Sequence, residues 1–202
     1  MKLVGLSDKE IWSLFKNGDD RALGLIYSGN ASRLYQYGLK FTADRDIVED
    51  TIHDLFAELI KSRKNLGDTD NILYYLFKAF KHKLFRKLLR EKHLHEAVPP
   101  GSNGFQITWP VEHELILQEI SWEQATRLLR ALNNLTGRQK EAIYLRFTRE
   151  LDYASVAGIM EISVEACRNL ICKAIAELKK SLNNKGENTV ILFFRIFSEK
   201  KS

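Results

Sequence analysis

Proline is scarce in this chain, three in 202 residues, so long uninterrupted helices are open to it. Cysteine is scarcer. Cys167 and Cys172 lie five apart in a helical pattern, where their side chains diverge and a disulfide is geometrically poor. There is no zinc-type cysteine spacing and no signal peptide, which points to a reducing cytoplasm. No stretch reaches the ~20 apolar residues that a membrane-spanning helix needs. No internal repeat and no strand-rich segment interrupts the helical periodicity, so the expected class is all-α. What is present is the balance of a folded protein, 45% hydrophobic and 28% charged. The formal net charge of +5 is unevenly spread, and local clusters of Lys and Arg suggest a polyanionic partner.

Residues 1–95 read as one helical block. Leu6-Ser7-Asp8-Lys9-Glu10 offers an N-cap, followed by Ile11, Leu14 and Phe15 at helical spacing. A second helix runs from Asp20 through Leu23, Ile26 and Tyr27 to Leu34, Tyr37 and Phe41, with Gly29-Asn30 as a candidate interruption. Around Val98-Pro99-Pro100-Gly101-Ser102-Asn103-Gly104 the periodicity fails. The expected architecture is therefore two small helical domains, 1–95 and 120–185. A flexible linker (96–119) joins them and an apolar tail (186–202) follows. The tail includes Val190-Ile191-Leu192-Phe193-Phe194, too short to span a bilayer. Its readings are packing on the protein's own core, partner binding or autoinhibition.

Three segments carry chemistry. In the first, Val48, Ile52, Leu55, Phe56, Leu59 and Ile60 follow the spacing of one buried helix face. At 100° per residue Asp46, Asp50, His53 and Asp54 fall opposite them. Such an acidic stripe is a solvated face, a metal or acid–base site, or a docking surface for a basic partner. No second His or Cys cluster supports the metal reading.

In the second, Leu73, Leu76, Phe77, Phe80, Leu84 and Leu88 form an apolar stripe. Tyr75, Lys78, His82 and Arg86 project opposite it, flanked by Lys81, Lys83 and Arg90. From Lys78 to Lys92 there are seven Lys or Arg and one acid, Glu91. That asymmetry suits a phosphate backbone, because each neutralised phosphate releases counterions. An aromatic among cations suits unstacked bases. A polar loop precedes this helix, with Asn65, Leu66, Gly67, Asp68 and Asn71 placed where a displaced base can be held.

In the third, Thr136 begins a cap with Gln139 three residues on, and Ala142, Ile143, Leu145 and Phe147 mark a helix. A short helix over Ala154–Met160, a turn at Glu161-Ile162-Ser163 and a long helix from Val164 to Lys180 fit the helix-turn-helix plan. Val164, Cys167, Ile171, Ala174, Ile175 and Leu178 point inward; Glu165, Ala166, Asn169, Cys172 and Lys173 point outward, with Arg168 at the edge. Ser163 is a good N-cap. Glu165 suits cytosine, and Arg168 or Lys173 suits guanine or phosphate.

In this order and separation, the two blocks resemble extracytoplasmic-function sigma factors over residues 20–95 and 120–182. Asp46-Ile47-Val48-Glu49-Asp50-Thr51-Ile52-His53-Asp54-Leu55-Phe56 is similar to the family's polymerase-binding helix, with His53 where Gln is usual. Tyr74-Tyr75-Leu76-Phe77-Lys78-Ala79-Phe80-Lys81-His82-Lys83 resembles the helix that melts and reads the −10 element, with Tyr75 for Trp and His82 for Asn. Residues 62–71 match the loop that pockets a flipped −10 base. Leu135-Thr136-Gly137-Arg138-Gln139-Lys140-Glu141 and Tyr153–Val164 resemble the domain that reads the −35 element. There Ala166 replaces a common Thr, and Leu170 a polar residue.

The resemblance implies a non-catalytic subunit of RNA polymerase with no cofactor. Its implied partners are the core polymerase, promoter DNA and an anti-sigma factor, often membrane-bound. The implied −35 contacts are Arg138, Ser163, Glu165, Ala166, Arg168, Asn169 and Lys173. Two rivals are a stand-alone helix-turn-helix regulator and a metal-dependent nuclease or phosphodiesterase using Asp46, Asp50, His53 and Asp54.

Overall fold

The computed structural model describes residues 5–92, 104–106, 127 and 130–181, and all regular structure among them is helical. The chain divides into two compact units between Gly101 and Ser102. Residues 186–202, and with them the apolar tail, lie outside the described residues.

The first unit holds α1 (Asp8–Lys16), α2 (Asp20–Gly38), α3 (Arg45–Ser62), a 3-10 turn (Arg63–Asn65) and α4 (Ile72–Lys92). Ser7 and Glu10 start α1 with a reciprocal capping box, a device that satisfies two of the orphan N–H groups every helix start leaves. Asp19 and Asp44 cap α2 and α3. Gly18, at φ +93°, takes the left-handed turn that ends α1, and its N–H donates to Phe15 O at 2.9 Å.

Helix α2 runs through Gly29-Asn30 without a break. Asn30 is buried and donates its side-chain amide to Ile26 O at 2.8 Å, so its polar group is satisfied inside the helix instead of disrupting it. The helix ends at Gly38, before Phe41. The Phe41 ring instead folds back to lie 5.0 Å from both Tyr37 and Phe85.

Helix α3 packs on α4, and both pack on α2. The predicted stripe of α3 is buried at Val48, Ile52, Leu55, Phe56 and Leu59. Ile60 is not part of it; it is 45% exposed. Position 60 falls at the edge of the arc, beyond the contact with α2. On α4 the buried stripe is Ile72, Leu76, Phe77, Phe80 and Leu84, with Leu73 and Leu88 at its half-buried margins. In α1 the innermost residues are Trp12 and Phe15, at 1% and 2% exposure, while Ile11 and Leu14 are half-buried.

The second unit holds a helical stretch over residues 130–134, then α5 (Gly137–Ile143), a π-helical turn (Tyr144–Thr148), α6 (Tyr153–Met160) and α7 (Val164–Ser181). Thr136 and Gln139 form the predicted capping box on α5. The helix expected to run through Leu145 and Phe147 is α-helical only to Ile143 and then widens into the π turn. Leu145 is still buried there, but Phe147 is only half-buried. Asp152 caps α6, accepting from Ser155 N at 2.6 Å.

Helix α6 ends on Glu161 at φ +55°, a left-handed conformation that a glycine usually supplies. Ser163 Oγ then accepts from Ala166 N at 3.1 Å and starts α7. Cys167, Ile171, Ala174 and Leu178 are buried, Ile175 is half-buried, and Val164 is 38% exposed, contrary to the inward position expected of it. Val164 is the first residue of α7, where no preceding turn covers it. Phe105 is buried with its ring 5.7 Å from that of Tyr144. Cys167 and Cys172 are both free thiols, the first buried and the second exposed.

Candidate nucleic-acid interface

Each unit carries one candidate surface. On the first unit, α3 presents Asp46, Asp50, His53 and Asp54 to solvent. They are not equivalent. Asp54 pairs with Lys87 of α4 at 2.7 Å, and one turn on Glu58 pairs with Lys83. Asp46 and Asp50 lie on the first turns of α3, before these bridges begin. The bridges are contacts between helices 25 or more residues apart, so they were not visible in either helix's own periodicity.

The hydrogen bond from Lys87 holds the Asp54 carboxyl below its ordinary value, and that from Lys83 does the same for Glu58. Both carboxylates are largely exposed, so solvent screens the pairs and each contributes little. The sign is fixed all the same. A carboxyl depressed in the folded state contributes stability above its unfolded value, and that contribution disappears as pH falls through the folded value. Between about pH 6 and pH 3, the wild type should therefore lose slightly more urea resistance than the Asp54→Asn, Glu58→Gln double variant. Equal losses would mean the pairs do not hold in solution.

On α4, His82, Arg86 and Arg90 are exposed, and Tyr75, Lys78, Lys81 and Lys83 are half-buried. The lysine ammonium groups lie near aromatic rings. Lys81 Nζ is 5.9 Å from the centre of Phe41 and 6.0 Å from that of Phe85; Lys78 Nζ is 5.8 Å from Tyr74. Such contacts hold the cations on one side of the helix. Lys83 is committed to Glu58. Tyr75 packs against Trp12, ring centres 4.8 Å apart, and burial pushes its hydroxyl pKa up. One edge of Tyr75 thus belongs to the core.

The loop before α4 is fastened rather than loose. Trp12 Nε1 donates to Gly67 O at 2.9 Å, and Lys16 Nζ pairs with Asp68 at 2.6 Å. Asp8 accepts from Ile72 N at 2.8 Å, and Asn71 Oδ1 accepts from Tyr74 N at 2.8 Å. Asn71 is therefore occupied in starting α4. Asn65 is exposed, and Leu66 is half-buried. Trp12, Lys16 and Asp8 were absent from the sequence-based site, since nothing in α1 announces a partner more than 50 residues away.

On the second unit, Glu165, Ala166, Arg168, Asn169, Cys172 and Lys173 are exposed on α7, as is Arg138 on α5. The Arg168 guanidinium lies over the ring of Tyr153 at 5.6 Å, and Arg146 lies 5.0 Å from the same ring. Tyr153 therefore steadies Arg168 from α6. Ser163 uses one lone pair of its Oγ as the α7 cap, which leaves its O–H and a second lone pair for an outward partner. Leu170 is half-buried. Among the described residues no group of three His, Cys, Asp or Glu converges where a metal ion could sit. Nor is any described helix long and apolar enough to cross a membrane.

Residues 125–178 match the family described as sigma-70, region 4. Among solved structures, the chain is similar to CnrH, determined in complex with the cytosolic domain of CnrY. The TM-score is 0.56 at 19% identity, covering 88% of this chain and 98% of that one. It is also similar to the sigma factor RpoE from Bartonella quintana, determined with the anti-sigma factor NepR. There the TM-score is 0.52 at 18% identity, covering 82% and 97%. A search of curated proteins by sequence finds no match. The family match falls wholly within the second unit. Beyond that stretch, the chain shares its fold with CnrH and RpoE along most of its length.

Proposed function

We propose that the two units divide the work of promoter recognition. The first docks on core RNA polymerase and opens the −10 element, and the second reads the −35 element. The observation that carries this is the pairing of a helix-turn-helix inside a region 4 match with a separate unit whose α4 is basic and edged by Tyr75. Asp46 and Asp50, with His53, form the polymerase-facing surface on α3, and Asp54 contributes through its bridge to Lys87. Lys78, Lys81, Arg86 and Arg90 follow the phosphates near −10, and Lys83 joins them by exchanging its Glu58 partner for a phosphate. Tyr75 and His82 face the separating bases, while Asn65, Leu66, Gly67, Asp68 and Asn71 frame the extruded one. Base extrusion costs a few kcal/mol, offset by contacts in the pocket. On the second unit Arg138, Ser163, Glu165, Ala166, Arg168, Asn169 and Lys173 form the −35 surface.

In this reading the protein is not an enzyme and needs no cofactor. It acts in the cytoplasm, and an anti-sigma protein controls its access to polymerase. CnrH and RpoE are each seen with a partner protein, RpoE's named an anti-sigma factor, which supports looking for one here.

The test is run-off transcription with purified core polymerase on genomic fragments. Start sites sharing −10 and −35 sequences should appear only when the protein is added. Tight operator binding without polymerase would favour a stand-alone regulator, and hydrolysis dependent on divalent ions would favour a nuclease. Each of Lys78→Ala and Arg86→Ala should weaken promoter binding by the holoenzyme across sequences and lower the salt slope by about one unit. An unchanged slope would remove that residue from the phosphate path. Asp46→Lys with Asp50→Lys should weaken binding to core while leaving the fold intact by circular dichroism.

A further inference from the structure

Helix α1 lies outside every element assigned to DNA or polymerase, yet four of its interactions end on the parts assigned to −10 recognition. The Trp12 ring packs on Tyr75, and its N–H holds the Gly67 carbonyl. Lys16 holds the Asp68 carboxylate, and Asp8 holds the Ile72 N–H that begins α4. Trp12 is 1% exposed, so it cannot itself touch a base. Its indole instead joins two things that must be in register, the loop and the aromatic face of α4. Asn65 and Asp70 of the same loop remain exposed.

A loop of this length pinned at one point keeps its other degrees of freedom. Pinned at Gly67, Asp68 and the start of α4, it presents one shape. A pocket discriminates between bases only insofar as its walls resist adjusting to the wrong one.

We propose that Trp12 and Lys16 are positioning residues for −10 base selection: α1 sets which base the 63–71 loop accepts by fixing that loop against Tyr75. The proposal rests on the sigma-factor reading above and assigns α1 a share of promoter specificity.

The experiment is run-off transcription by the holoenzyme from a promoter library randomised across the −10 element. The wild type is compared with Trp12→Phe, Lys16→Gln and Lys16→Arg. Trp12→Phe keeps an aromatic ring but loses the indole N–H together with part of the buried ring volume, so Lys16→Gln serves as the core-neutral variant beside it. Lys16→Gln removes the charge from a side chain near the surface and leaves the core intact. One hydrogen bond is worth about 2- to 10-fold. Trp12→Phe should therefore lower the ratio of best to worst base at the extruded position by that factor, and Lys16→Gln, whose partner Asp68 is 85% exposed and screened by solvent, by a smaller factor of up to about 5-fold, with preferences at −35 unchanged. Lys16→Arg, which preserves the ion pair, should restore the wild-type ratio.

A uniform fall in transcription across the library, with the base profile intact, would overturn the proposal and leave α1 a purely structural helix. Should Trp12→Phe fail to fold, an unchanged profile for Lys16→Gln would overturn it equally. Absence of any start site with the wild type would instead defeat the sigma-factor reading, and this inference with it.

Discussion

Replacing Gly38 with alanine should destabilise the first unit by about 1–3 kcal/mol, read as a lower urea midpoint at unchanged slope. A Cβ at this position would sit 2.7 Å from Val48 Cγ1, 2.9 Å from Phe80 Cζ and 3.1 Å from Val48 Cγ2. Two effects oppose each other. Alanine is a better helix former than glycine by about 1 kcal/mol in a helix interior, and by less at Gly38, the last residue of α2. Yet the atoms it would meet belong to side chains that are both fully buried, one of them β-branched and stiff. Neither can swing aside without moving its own neighbours, so overpacking wins. Val48→Ala in the Gly38→Ala background should recover part of the loss, because it removes two of the three close atoms; the two changes should then be strongly non-additive. A stabilised Gly38→Ala protein would show that α2 and α3 can move apart.

Tyr144→Phe should cost the second unit about 1.5–3 kcal/mol, the range for a hydrogen bond to a charged group. Arg149 is only 8% exposed, and its Nε donates to the Tyr144 hydroxyl at 2.8 Å; its Nη2 donates to the same oxygen. The guanidinium also lies 4.9 Å from the Tyr144 ring centre. Phenylalanine keeps the ring contact and removes the acceptor, so the measured loss isolates the hydrogen bonds. Thermal unfolding of the variant against wild type reads this directly. A change below a few tenths of a kcal/mol would mean that water or a shifted side chain replaces the hydroxyl.

Local signals in this chain were legible, and long-range ones were not. Ser7 with Glu10, and Thr136 with Gln139, announce helix starts because a capping box lies within four residues. The inward faces of α3 and α7 followed from periodicity in their middles and failed at their edges. Ile60 and Val164 carry apolar side chains at positions where the fold places nothing over them. Asn30 looked like a break because asparagine competes for backbone partners; burial turned that same chemistry inward, onto Ile26. The acidic stripe of α3 is exposed as periodicity predicts, but on α4 Lys78, Lys81 and Lys83 are half-buried, and neither stripe announced which charges were already paired. Asp54 with Lys87, Glu58 with Lys83 and Trp12 with Gly67 depend on how helices are arranged in space, and a single helix's sequence holds no record of that. Phe105 is a similar case, an aromatic in a proline- and glycine-bearing stretch that finds its place beside Tyr144.

The two lysine bridges divide the acidic face of α3 along its length. Toward the C-terminal end, the carboxylates at Asp54 and Glu58 are each offset by a cation from α4, so the field felt at a distance is weakened there. Toward the N-terminal end Asp46 and Asp50 keep their charge exposed. An approaching basic surface is therefore attracted to one end of the helix before the other. The helix then acts as a directional signal, biasing the angle of first encounter, and it is the rate of association, with its dependence on ionic strength, that registers the asymmetry.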